Sequence, residues 1–162
     1  MDVAWRKGLA PEELTVEWTQ AVQKLFLEGT GEQYFAGSIQ SLPVPRWDGN
    51  LMLFDSIEET PQSMRGLLWT TPFKEDTVRI VSFVLDPGSR NKGWGSQAWN
   101  ILIESLAETQ YTTIQLEVRS TNEKAINFYR KRGLEVIQEL YGYYSSGIGY
   151  LMRGPLQTIN PQ

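Results

Sequence analysis

The sequence predicts an α/β domain built on a mixed sheet with helices on its faces. Three observations carry that prediction. The chain has 162 residues, enough for one domain with a sizeable core. Segments with period-2 hydrophobicity alternate with segments at helical spacing. The resulting order is strand, helix, strands, helix, strand, helix, strands.

Residues 3–7 form the first expected strand. Leu9-Ala10-Pro11-Glu12-Glu13 reads as a helix start: the N–H that proline lacks has no partner there, and early carboxylates suit the helix dipole. Leu14, Trp18, Ala21, Val22 and Leu25 follow at helical spacing, with Gly29 as the expected stop. Residues 29–50 are irregular and rich in glycine and proline. They are expected to hold a short second helix and a surface lip carrying Tyr34, Phe35 and Trp47. Residues 51–54 and 65–71 read as a hairpin across a turn near Pro61. Residues 77–85 are a strong strand, with Val78, Ile80, Ser82 and Val84 assigned to one face. Asp86-Pro87-Gly88 ends it, and the next helix has the apolar stripe Trp99, Leu102, Ile103, Leu106 and Ala107. Residues 113–119 alternate Ile114, Leu116 and Val118 with Gln115, Glu117 and Arg119. A helix over 122–132 ends at Gly133. Two closing strands, about 135–141 and 148–153, flank a turn at Ser145-Ser146-Gly147. Residues 154–162, with Pro155 and Pro161, read as an exposed end. One domain over 1–154 with a flexible tail over 155–162 is the expected organisation.

Composition excludes several chemistries. The chain has no cysteine and no histidine. Disulfides, thiolate metal sites, a Cys nucleophile, a Ser-His-Asp hydrolase and an ordinary zinc enzyme are excluded. Acid–base work falls to carboxylates, Tyr, Lys or the backbone, with no metal. The net charge of −4 argues against a nucleic-acid or anionic-membrane partner. No apolar run has the length of a bilayer span, and the N-terminus lacks a signal-peptide pattern, so a cytoplasmic location is expected.

Arg90-Asn91-Lys92-Gly93-Trp94-Gly95-Ser96 joins the strand at 77–85 to a helix. Glycines there allow close backbone approach, and helix-start N–H groups suit a pyrophosphate. No Gly-Lys-Ser/Thr triplet follows, and a third glycine at the dinucleotide-fold offset is absent. On its own the loop is equally a tight strand-to-helix turn.

Residues 116–134, LEVRSTNEKAINFYRKRGL, resemble the strand–helix region of GCN5-related N-acetyltransferases, where LEVR-x-x-N-x-x-A-x-x-x-Y-x-x-x-G-F is frequent. The loop from Arg90 resembles that superfamily's acetyl-CoA pyrophosphate loop, and the two motifs occur in the right order. Within the superfamily the chain is most similar to N-terminal acetyltransferases of the ribosomal-protein alanine type. Glu117 and Tyr129 have the spacing of that group's acid–base pair. Residues 141–152 resemble its YY-x-x-G-x-x-A-x-x-M ending. Leu134 stands where Phe is common, and Ile148-Gly149 where an acidic pair is frequent.

The resemblance implies a mostly antiparallel central sheet with helices on both faces, and acetyl-CoA as co-substrate. It implies an amine acceptor, with a protein N-terminus leading and a small-molecule amine as the alternative. A non-catalytic acyl-CoA-binding module is the rival class, and the molecule is a monomer or a homodimer. Phe83, Val84 and Leu85 would meet the pantetheine arm through their backbone. Arg90, Asn91, Lys92, Gly93, Trp94, Gly95 and Ser96 would hold the pyrophosphate. Asn122 would cap its helix or bond the pantetheine. Tyr129 would be the acid, although periodicity alone places it in a core stripe. Glu117 would be the base; read without the resemblance, it pairs with Arg119 or Arg79 or lies near a solvated strand end. Arg130-Lys131-Arg132 would either meet the cofactor's 3′-phosphate or form a solvated run that complements the helix dipole; the solvated run is the reading taken, and the three are left out of the site.

Overall fold

The computed structural model describes residues 3–142 and 147–156. Its strands are β1 (Ala4–Lys7), β2 (Asn50–Phe54), β3 (Met64–Lys74), β4 (Thr77–Leu85), β5 (Thr113–Arg119), β6 (Glu135–Leu140) and β7 (Gly149–Pro155). They form one sheet in the order β1-β2-β3-β4-β5-β7-β6. β4 and β5 run parallel, and the other neighbouring pairs are antiparallel. The helices are α1 (Val16–Thr30), α2 (Ala36–Gln40), α3 (Trp94–Ser105) and α4 (Glu123–Arg130).

Each face of the sheet has its own core. Val22, Leu25 and Phe26 of α1 and Ile39 of α2 pack on Met52, Phe54, Leu67, Trp69 and Val84. Trp99, Leu102 and Ile103 of α3, with Ile126 and Tyr129 of α4, pack on Leu51, Leu53, Leu68, Ile80, Ile114, Leu116 and Met152. The mixed, mostly antiparallel sheet with helices on both faces is the architecture the sequence predicts. No helix among the described residues is long and apolar enough to cross a membrane.

Several boundaries differ from expectation for identifiable reasons. Pro11–Glu13 is a separate 3-10 turn, and α1 begins after Thr15, whose hydroxyl accepts from the Trp18 N–H at 3.3 Å. Gly29 does not stop α1. The stop is Gly31, which takes the left-handed conformation at φ 79°. Gly29 instead lets α1 lie close on β4: a Cβ there would collide with the Val84 side chain and sit 3.2 Å from the Leu85 carbonyl oxygen.

β4 carries a bulge. Its pairing with β3 moves from Ser82 opposite Trp69 to Ile80 opposite Thr70, leaving Val81 as the inserted residue. The expected single face of Val78, Ile80, Ser82 and Val84 is therefore broken. Val78 and Ile80 join the α3/α4 core with Phe83 and Leu85, whereas Val84 joins the α1/α2 core. An inserted residue resets the alternation, and a period-2 reading cannot see it.

Two residues expected in the exposed end lie in the sheet instead. Gly154 and Pro155 belong to β7, and the Leu156 N–H donates to the Thr112 carbonyl at 3.0 Å. Residues 157–162 and the Ser145-Ser146 part of the expected turn lie outside the described residues. Gly154 lets β7 pass the end of α4: a Cβ would lie 2.6 Å from the Gly133 carbonyl oxygen and 2.8 Å from the Leu134 Cα. Both obstacles are backbone, so Gly154→Ala is expected to destabilise the fold by about 1–3 kcal/mol, the usual range for overpacking. Urea denaturation of wild type and variant measures this.

Candidate active site

The sheet is open at its centre. The β4–β5 ladder joins Thr77–Ile80 to Thr113–Leu116 and ends there, immediately before the bulge residue Val81. Beyond it, residues 81–85 keep β3 on one edge and, among the described residues, have no strand on the other. The Asp86 N–H donates to the Arg65 carbonyl at 2.8 Å. Antiparallel alternation then turns the backbone groups of Val84 toward β3 and those of Phe83 and Leu85 toward the open edge. Of the three residues expected there, Phe83 and Leu85 offer backbone groups to the opening, and Val84 is occupied by the ladder.

Beside the opening lies the start of α3. Asn91 (φ 61°) and Gly93 (φ 85°) both take left-handed conformations and bend the chain into the helix. Gly93 is the residue before the helix, and no side chain caps it. The Gln97 N–H makes the first turn's bond, to the Gly93 carbonyl at 3.0 Å. The amides of Trp94, Gly95 and Ser96 therefore precede the intrahelical ladder, as donors at a positive dipole end. Trp5 anchors the turn, its Nε1 donating to the Trp94 carbonyl at 2.8 Å. Asn91, Lys92 and Gly93 are exposed. Arg90 is also exposed, and its guanidinium donates to the Gly29 carbonyl, joining this loop to the end of α1. Asn122 caps α4, accepting from the Ala125 N–H at 3.2 Å.

Glu117 and Tyr129 lie on opposite faces of the sheet. Tyr129 is 7 % exposed in the α3/α4 core, its ring 6.0 Å from Trp99 and 5.4 Å from Phe128. Phe128 in turn meets Phe83 at 5.8 Å, so Tyr129 stands one ring away from the open stretch of β4. Glu117 alternates away from Leu116 and Val118, which belong to that core. Arg79 of β4 holds it through a fork: Nε donates to Oε1 at 2.9 Å and Oε2 at 3.2 Å, and Nη2 to Oε1 at 2.6 Å. Both side chains are mostly buried. The opening thus has a carboxylate on one side and a phenol on the other. Among the described residues, no group of three or more His, Cys, Asp or Glu could hold a metal ion.

The same end of the sheet carries an ion pair and two exposed aromatics. Arg119, the last residue of β5, pairs with Glu32 just after α1 at 3.0 Å. Phe35 and Tyr141 are each about three-quarters exposed. Tyr34 of the expected lip packs on Phe26 at 4.8 Å, and Trp47 turns toward Tyr111 at 5.8 Å. The exposed aromatic of that segment is therefore Phe35.

Arg132 is the residue the sequence reading misplaces. It is 4 % exposed, whereas Arg130 and Lys131 are solvated. Its Nη2 donates to Ser96 Oγ at 2.7 Å and its Nη1 to the Phe128 carbonyl at 2.8 Å. Burial pushes its pKa down to about 10, which leaves it cationic at neutral pH. The signal was spacing: Arg132 is three residues after Tyr129 and four after Phe128, on the stripe that faces α3.

A model of the family described as "Acetyltransferase (GNAT) family" matches residues 12–134. No curated protein sequence matches significantly. Among solved structures, Ard1 from Thermoplasma volcanium superposes with TM-score 0.77 at 22% identity, covering 97% of this chain and 99% of that one. The ribosomal-protein-S18-alanine N-acetyltransferase from Escherichia coli gives 0.74 at 18% identity, covering 99% and 97%. Arabidopsis thaliana Naa50, in complex with the bisubstrate analogue CoA-Ac-MVNAL, gives 0.68 at 18% identity, covering 94% and 98%. These likenesses show a shared fold, and the family match covers well over half of the sequence. The chain belongs to the acetyltransferase (GNAT) family.

Proposed function

We propose that this chain transfers an acetyl group from acetyl-CoA to a primary amine, and that a protein N-terminus is its preferred acceptor. The observation that carries the reading is the parting of β4 and β5 beside an uncapped helix start. The free backbone edge at Phe83 and Leu85 fits an amide-bearing arm, because alternating donors and acceptors suit a pantetheine chain. The amides of Trp94, Gly95 and Ser96 fit its pyrophosphate. The residues present therefore suit the co-substrate.

Transfer forms an N–C bond to the acetyl carbonyl and breaks the C–S bond. The amine must lose a proton and the departing sulfur must gain one. Tyr129 donates the second proton, because its phenol carries a transferable O–H. Glu117 accepts the first through a water, because Arg79 already engages both of its oxygens. A backbone N–H on the open edge of β4 polarises the carbonyl.

For the acceptor, the supporting facts are peptide ligands in relatives of the same fold and the layout of one sheet end. Naa50 was solved with an analogue that joins CoA to a peptide, and the NatC complex with Gag peptide and CoA. In this chain Gly149 lies between Arg119 and Leu140 in the β5-β7-β6 ladder. Arg119 pairs with Glu32, and the exposed Phe35 and Tyr141 follow Glu32 and Leu140 closely in the sequence. Tyr143 and Tyr144, between Tyr141 and Ile148 in the sequence, lie outside the described residues.

Coenzyme A release assayed with N-terminal peptides, polyamines and free amino acids tests the acceptor. Peptides are expected to give the highest kcat/KM, and a preference for polyamines would overturn that choice. Phe35→Ala is expected to raise the peptide KM severalfold and leave the acetyl-CoA KM unchanged. Acetyl-CoA is expected to raise the melting temperature by mass action. Gly93→Asp or Gly95→Asp should abolish that rise by placing a carboxylate beside the phosphates. An unchanged affinity in either folded variant would remove the loop from the site.

A further inference from the structure

We propose that Arg132 is a positioning residue for phosphate recognition, holding the Ser96 hydroxyl so that its proton is presented to the phosphates of the acyl donor. The inference rests on the reading of the α3 start as the acetyl-CoA phosphate site and assigns that site a part beyond the glycine loop.

Hydrogen-bond directionality carries the argument. A guanidinium has donors only. The 2.7 Å contact from Arg132 Nη2 to Ser96 Oγ therefore occupies a lone pair of the hydroxyl oxygen, and the hydroxyl proton points away from Arg132. Ser96 is the third residue of α3, within the turn whose amides at Trp94, Gly95 and Ser96 precede the intrahelical ladder. A hydroxyl there that receives a charge-assisted bond on oxygen is polarised toward donating its own proton. An anion at the helix start then meets backbone amides, a hydroxyl donor and a buried cation behind it.

The geometry around Arg132 is specific to arginine. Its guanidinium carbon lies 3.4 Å from the Phe128 ring centroid and 5.9 Å from that of Trp99. One arm of the fork goes to the Phe128 carbonyl and another to Ser96. Lysine can neither stack as a plane nor reach both acceptors at fixed angles. Its site is also coupled to the opening, because Phe128 meets both Phe83 and Tyr129. A role confined to tying α4 against α3 would use the same bonds, so the test must separate the two.

The separating experiment measures affinity for two donors by titration calorimetry: acetyl-CoA, and S-acetylpantetheine, which carries the thioester and arm without the nucleotide phosphates. Wild type, Ser96→Ala, Arg132→Met and the double variant are compared, with melting temperatures alongside. Arg132→Met is expected to reduce the ratio of the two affinities by roughly tenfold, the loss typical of a hydrogen bond to a charged group. Ser96→Ala is expected to reduce it by a similar factor. The double variant should be no worse than the weaker single one, because both act through one hydroxyl. Arg132→Lys should recover only part of the ratio. Equal loss for both donors, or multiplying effects in the double variant, would overturn the proposal and leave Arg132 a structural tie. If Arg132→Met fails to fold, Ser96→Ala decides: an unchanged ratio there is sufficient to overturn it. Wild type that binds neither donor would instead sink the acetyl-CoA reading itself, and that titration comes first.

Discussion

Tyr129→Phe is expected to lower kcat by about two to four orders of magnitude, the usual contribution of a positioned proton donor. The melting temperature should change little. The substitution removes one oxygen and keeps the ring against Trp99 and Phe128, where most of its buried surface lies. Acetyl-CoA affinity should also survive, because the proposed phosphate donors sit on α3 and the proposed contacts to the arm come from the backbone of β4. Loss of kcat with KM and stability retained is thus the signature of an acid. A variant with wild-type kcat would rule the role out. Parallel falls in kcat and melting temperature would return Tyr129 to the core stripe that its periodicity describes.

The second large effect is expected at the carboxylate across the sheet. Glu117→Gln should lower kcat/KM by roughly a hundredfold near neutral pH, within the range of general-base catalysis. Its defect should shrink as pH rises. The sign follows from the acceptor: at low pH the amine holds its proton and needs a base, whereas at high pH solvent supplies free amine. Arg79→Gln provides the comparison. It removes the fork that orients the carboxylate but leaves the carboxylate itself. A shallower loss, about tenfold, with the wild-type pH shape is expected. If both variants lose activity equally at every pH, Glu117 only orients, and water or backbone takes the proton. Removing one partner also costs stability, roughly 1.5–3 kcal/mol for a hydrogen bond to a charged group, so rates are compared well below the melting temperature.

How much of this was legible depended on whether the signal was local. Residues 77–85 and 113–119 were bounded to the residue because turn-forming residues or a cap flank each: Asp86-Pro87 closes β4, and Asn122 caps the helix after β5. Gly29 and Gly31 were indistinguishable by type. Only the approach of α1 to β4 separates a glycine needed for contact from one needed for its φ. The bulge at Val81 was invisible because pairing with β3 creates it, and it put Val84 on the opposite face from Val78 and Ile80. The Glu117–Arg79 fork was among the alternatives weighed, but parallel pairing of β4 with β5 was needed to choose Arg79 over Arg119. Arg132 was hidden by its neighbours: three consecutive basic residues look like a solvated run, although one of them is buried against the Phe128 ring.

The bulge also bears on how separable fold and function are in this chain. On either side of Val81 the strand already points its side chains correctly: Ile80, Phe83 and Leu85 to one core, Val84 to the other. Ser82 opposes Trp69 and Ile80 opposes Thr70, so excising Val81 would leave a regular strand with every one of these residues on its present side. Val81 itself packs at the margin of the α1/α2 core. A single codon thus divides a regular strand from one that carries the bulge at which the β4–β5 ladder ends. The shorter chain, free to extend its ladder toward β5, would trade that gap for a more completely bonded sheet.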